Sequence, residues 1–167
     1  MPLPAYFVCS EGISVDRDAN KITLFSVSES MQIIPTELLA QLQQSAHQII
    51  PPATLRIVSV WMREDSDIPE TQYEHQFVFH FPKTEEIVLG QTPFTFTTAR
   101  FHRLLSPPLF IPGFPGPGIL KVEARIRKTG EPNWIGRQFF YIELSVVDVS
   151  SLLSPSPTAG KPPVDKS

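Results

Sequence analysis

Apolar and polar residues alternate with a period of two through much of this chain. The clearest stretch is 72–81, where Tyr73, His75, Phe77, Phe79 and Phe81 share one parity and Glu74, Gln76, Val78 and His80 the other. Successive side chains of a pleated strand point to opposite faces, so the stretch predicts a strand with one aromatic face. Residues 118–147 predict a closing β-hairpin. Leu120, Val122, Ala124 and Ile126 are all even-numbered, as are Phe140, Ile142, Leu144 and Val146, and the turn-forming KTGEPN lies between the two sets. Any register that pairs even with even gives one continuous apolar face. The odd face then carries Lys121, Glu123, Arg125 and Arg127 beside Arg137, Phe139, Tyr141 and Glu143.

Earlier segments follow the same logic. Residues 5–16 predict a strand with Phe7, Cys9, Ile13 and Val15 on one face and a bulge at Glu11-Gly12. The polar run 16–20 predicts a turn, and 21–34 a second strand whose parity switches near Ser28 to Ser30. One helix is predicted over 36–47. Thr36 is its N-cap, Glu37 complements its dipole, Leu38, Leu39, Leu42 and Ala46 form its apolar stripe, and Pro51-Pro52 stops it. Residues 53–63 are apolar on both parities, which predicts a strand covered on both faces. Strands are also predicted over 83–90 and 93–105, with a change of phase that puts Phe101 opposite in parity to Phe94 and Phe96. The run SPPLFIPGFPGPG at 106–118 cannot be a central strand, because proline lacks the ladder donor. It predicts a polyproline-like connection between sheets, with Leu109, Phe110, Ile111 and Phe114 either pinned to the core or offered to a partner.

These elements predict an all-β, mainly antiparallel fold: an immunoglobulin-like β-sandwich of about seven to eight strands with one short helix between early strands. Residues 1–147 form the expected domain, and the Ser/Pro-rich stretch 148–167 is expected to be a disordered tail. The 167 residues suffice for one sizeable core, and the 12 phenylalanines against 8 glycines favour half-buried pleated surfaces.

Charge and chemistry narrow the function classes. A net charge of −3 lacks the electrostatic footprint of a nucleic-acid or anionic-membrane binder. There is neither a signal-like N-terminus nor an apolar run of membrane-spanning length, so a cytoplasmic, bacterial setting is expected. Cys9, the single cysteine, can form no internal disulfide and reads as core. The Asp16–Asn20 run imitates the start of an EF-hand loop, but Lys21 stands where glycine is needed and Val27 where the closing Glu belongs. Glu64, Asp65, Asp67 and Glu70 form an acidic loop that reads as solvated. His75 and His80 have opposite parity, so His75 is expected at the edge of the aromatic core, hydrogen-bonded, and His80 on the surface. Arg100, His102 and Arg103 are the densest basic spot and read as an exposed strand end. None of the hydrolase, metalloprotease, P-loop or dinucleotide motifs is present, and neither an enzyme nor a cofactor or metal is expected.

Two stretches carry a resemblance. SEGISVDRDANKITLFSVSESM at 10–31, with its SVD and NKxTLFxVxE signature, and the Pro-Gly-led PGPGILKVEARI…GRQFFYIELSVV near the end resemble the two terminal hairpins of a bacterial β-sandwich family of unknown function. The resemblance implies a sandwich and brings no catalytic residues. The expected function is therefore a non-catalytic binding or scaffold module with a protein partner, which could be a second copy. Its candidate contacts are Arg125, Arg127, Arg137, Phe139 and Tyr141 on the hairpin's odd face, and Phe110 and Phe114 in the proline loop. The alternative is a small-ligand or carbohydrate-binding sandwich with Trp134 or Tyr141 as a stacking platform.

Overall fold

The structure is a computed structural model that describes residues 1–16, 21–34, 53–68, 70–82, 85–96, 99–111 and 116–146. The predicted helix over 36–47, the predicted tail over 148–167 and Phe114 lie outside the described residues, and so does the side chain of Phe110.

Among the described residues there are ten strands: β1 (Leu3–Asp16), β2 (Lys21–Val27), β3 (Ser30–Ile33), β4 (Ala53–Met62), β5 (Gln72–His80), β6 (Glu86–Thr95), β7 (Phe101–Leu105), β8 (Leu109–Ile111), β9 (Gly118–Lys128) and β10 (Gly136–Val146). They build two sheets. The first has the order β2-β1-β4-β7, with β8 also paired to β4, and the second has the order β3-β10-β9-β5-β6. Every pairing is antiparallel except β3 with β10. The sheets face each other across a common core. Cys9, Leu55 and Ile57 of the first meet Phe79, Leu120, Val122, Ile142 and Leu144 of the second, and Trp61 meets Tyr73, Ala124 and Ile126.

The period-two pattern sets most of this arrangement. β9 pairs with β10 even to even, from Gly136 opposite Ile126 to Leu144 opposite Gly118, so the predicted apolar face is buried as one surface. Phe140 on that face is half-buried, and Val146 is exposed at the strand end. β4 is apolar on both parities because it is central, and Leu55, Ile57, Val58, Val60 and Trp61 are all buried. Gly118, where the hairpin begins, has φ +140°, and a Cβ there would lie 2.8 Å from Pro82 Cγ. Glycine alone fits that backbone and that gap.

Several predicted elements are divided differently. The single strand expected over 21–34 is two: β2 belongs to the first sheet and β3 to the second, and the parity switch at Ser28 to Ser30 is the crossing between them. Ser26, with φ +52°, lies just before that crossing, and the Glu29 carbonyl accepts from Glu143 N at 2.9 Å on the far side. The second phase change has the same cause. β6 is one continuous edge strand of the second sheet, and the chain then crosses so that β7 pairs with β4 of the first. Pro93 is tolerated within β6 because an edge strand need not donate on its outer side. The bulge expected at Glu11-Gly12 is absent. The β1–β2 register runs unbroken from Ser10 opposite Val27 to Asp16 opposite Lys21, and Gly12 instead leaves room for the Phe25 ring 3.5 Å from its would-be Cβ. β1 bulges earlier, between Pro4 and Tyr6. The proline run contains a short strand as well as a connection. β8 continues the edge begun by β7, and at the interruption Ser106 replaces the ladder, its N donating to Ile57 O at 2.9 Å and its Oγ accepting from Ile57 N at 2.9 Å.

Candidate functional site

The outer face of the second sheet is organised in rows that cross β10, β9, β5 and β6. The register sets Tyr141, Lys121, His80 and Glu86 in one row, then Phe139, Glu123, Val78 and Val88, then Arg137, Arg125, Gln76 and Gln91. All five hairpin residues predicted as contacts therefore stand on one face. They do not stand on it equally.

At the centre of the face is Glu123, whose side chain is wholly buried although its parity points it outward. Arg137 Nε donates to its Oε1 at 2.5 Å, and His80 Nε2 lies 2.7 Å from its Oε2. Burial alone would push this carboxyl's pKa up. The hydrogen bonds from Arg137 and His80, with the charges of Arg137 and Arg125, outweigh that and hold it below its ordinary value. His80 also reaches Glu86, Nδ1 to Oε1 at 3.2 Å, so it is a half-buried bridge between two carboxylates and not the surface residue expected from parity.

The arginines of β9 are largely engaged. Arg125 Nε donates to Gln76 Oε1 at 2.9 Å and Arg127 Nε to Glu74 Oε2 at 2.7 Å. Trp134, from the hairpin loop, folds back so that both guanidiniums lie over its ring, with Cζ 4.7 and 4.6 Å from the centroid. Trp134 is thus a clamp on two arginines, and its ring is not the open stacking platform the alternative reading needs. What remains open is the β10 side: Phe139 is 41% exposed, Tyr141 57% and neighbouring Ile119 53%. Lys121 and Arg137 flank the Phe139 ring at 5.2 and 5.6 Å.

The other singled-out residues are placed elsewhere. Cys9 is buried in the core, where burial pushes its thiol pKa far up and away from nucleophilic use. His75 is buried against Phe77, as expected at the aromatic core, with ring centroids 4.3 Å apart, and its Nε2 has no hydrogen-bond partner among the described residues. The basic spot is split: His102 stacks on core Phe94 at 4.4 Å, while Phe101 and Arg103 line a cleft on the outer side of the first sheet. In the acidic loop, Glu64 Oε2 and Asp67 Oδ1 lie 3.0 and 2.5 Å from the α-amino group of Met1. Phe110 belongs to β8 by its backbone. Gln138 was missed by sequence reasoning. It sits on the core face of β10, its Oε1 accepts from Ser59 Oγ at 2.9 Å, and its Nε2 donates to Val60 O at 3.1 Å and Tyr6 O at 3.3 Å, tying the sheets together. Its even parity beside Phe140 and Ile142 was the available signal.

The chain matches no family model, and no curated protein is significantly similar to it.

Proposed function

We propose that this protein is a non-catalytic binding or scaffold module, a β-sandwich that holds a protein partner on the outer face of its C-terminal hairpin. The observation that carries the reading is the division of labour on that face. Glu74, Glu86, Glu123 and Trp134 immobilise Arg125, Arg127 and Arg137 in ion pairs and ring contacts, and the rings of Phe139 and Tyr141 stay exposed on a strand flanked on both sides. Rigid exposed aromatics beside arginine are the chemistry of interface hot spots, because they add contact area with little side-chain ordering cost. Among the described residues no helix is long and apolar enough to cross a membrane. The carbohydrate-binding alternative would have to use Tyr141, since Trp134 is occupied by its two arginines.

The test is affinity capture from an extract of the source organism, with wild-type protein and a Phe139→Ala/Tyr141→Ala double variant run side by side. Partners retained by the wild type and lost by the variant support the reading. Identical recovery by both refutes it.

A further inference from the structure

An edge strand presents a row of backbone N–H and C=O groups without a ladder partner, and natural sheets blunt such rows with proline, bulges or very short strands. Among the described residues three of the four sheet edges are blunted in these ways. β3 has four residues. β6 holds Pro93, and its register slips opposite Phe77 and Val78, where Gly90 has φ +138°. The β7–β8 edge is interrupted at Ser106 into strands of five and three residues. β2 differs. It has neither proline nor glycine, its register on β1 is unbroken, and among the described residues no strand lies on its far side. Ser26, with φ +52°, ends its extended run, so the continuous edge is Lys21 to Phe25.

The ladder on β1 fixes which groups of that edge are open. Ser28 N donates to Cys9 O at 3.0 Å, which makes these two a hydrogen-bonded pair. Bonded and non-bonded pairs alternate along an antiparallel ladder. In this register Leu24 with Ile13 and Ile22 with Val15 are therefore bonded pairs, and the N–H and C=O groups of Lys21, Thr23 and Phe25 point away from β1. Those three residues are exposed, while Ile22 and Leu24 are half-buried. The run holds no acid, and its one charge, Lys21, is at its end.

We infer that β2 pairs antiparallel with β2 of a second copy of this chain, across a two-fold axis through Thr23. The edge is self-complementary in that register. Thr23 meets the second copy's Thr23 and Lys21 meets its Phe25, so the outward groups of both copies close into three bonded pairs with about six hydrogen bonds. Ile22 of each copy then lies beside Leu24 of the other as a close non-bonded pair, Cα atoms about 4.5 Å apart. Charge agrees with the pairing. The two Lys21 residues stand four positions apart along the ladder, about 14 Å, which exceeds the screening length of about 8 Å at physiological salt. A two-fold contact uses the same edge on both chains and stops at two, since the other edges are blunted. So short an edge buries less than the roughly 1,200–2,000 Å² of a standard interface, and the dimer is accordingly weak. β2 is in the opposite sheet from Phe139 and Tyr141, so its test is independent of the capture experiment.

The experiment is sedimentation velocity and NMR-detected amide exchange on the full chain from about 10 μM to about 1 mM, the range in which a small interface associates. The expected result is a weight-average mass that rises from one chain toward two. Over the same range exchange at Thr23 and Phe25 should slow at least about threefold, and exchange at Ile22 and Leu24, whose amides bond β1, should slow less. Thr23→Pro removes an outward donor, spares the β1 ladder and should hold the chain monomeric throughout. A mass that stays at one chain leaves the edge to a strand of some other protein and overturns the inference. A dimer without protection at Thr23 and Phe25, or one that survives Thr23→Pro, overturns it as well. If the variant fails to fold, the exchange series on the wild type decides the matter.

Discussion

Replacing Gln138 with leucine should weaken the joint between the two sheets by a predictable amount. The side chain is 6% exposed and makes three hydrogen bonds to the first sheet, from Ser59 Oγ and to the carbonyls of Val60 and Tyr6. Leucine nearly matches glutamine in volume, so no large cavity opens, but all three partners lose a bond, two of them in a fully buried setting. At about 1 kcal/mol net for each bond the loss is about 3 kcal/mol. Leucine's more favourable transfer to the interior offsets about 1 kcal/mol of that, leaving about 2 kcal/mol. For a chain of this length each kcal/mol moves the melting temperature by about 2–4 °C, so Tm should fall by roughly 4–8 °C. Calorimetry reads the change, and denaturant unfolding followed by the fluorescence of buried Trp61 gives it a second time. A double-mutant cycle with Ser59→Ala should return a coupling of about 1 kcal/mol. An unchanged Tm, or strict additivity in the cycle, would refute the inter-sheet role assigned to this amide.

Three further outcomes follow from buried groups. Burial, with the nearby His102 charge, lowers the pKa of His75 from 6.5 to about 3, so its neutral form contributes stability that is complete above pH 6.5 and declines as pH falls toward 3. Linkage puts the loss between pH 7 and pH 5 at about 2 kcal/mol, and urea midpoints at the two pH values should show it in the wild type and not in His75→Leu. Glu123, held below its ordinary 4.5, contributes stability present above that value and lost as pH falls through its native pKa, so Glu123→Gln should flatten the acid limb of the same profile. In Gly136→Ala the new methyl would sit 2.7 Å from Trp61 Cζ3 and 3.1 Å from Ile126 Cγ1, and forced repacking should cost about 1–3 kcal/mol by chemical denaturation.

The sheet character and the inward face of most strands were legible in the sequence because they depend only on parity, which β5, β9 and β10 keep without interruption. Parity is blind to which sheet a strand joins. The slips at Ser28 to Ser30 and between Phe96 and Phe101 read as irregularities within strands, whereas each is a crossing from one layer to the other. The hairpin's outer face was legible as a list of residues and not as an energetic arrangement. Glu123 is placed outward like Arg125, yet it is buried, because Arg137 and His80 close over it from neighbouring strands whose pairing is set only in three dimensions. Trp134 could not be assigned to its arginines for the same reason. The slip of register between Pro4 and Tyr6 in β1 has no counterpart in the alternation of MPLPAYFVC.

The most direct test of the central claim is hydroxyl-radical footprinting of the captured complex beside the protein alone. Oxidation of Phe139 and Tyr141 should fall at least about threefold in the complex, as expected when hot-spot rings are desolvated, while Phe25 on β2 keeps its reactivity. Unchanged labelling of both rings, with protection appearing at Phe25 or elsewhere on the first sheet, would contradict it.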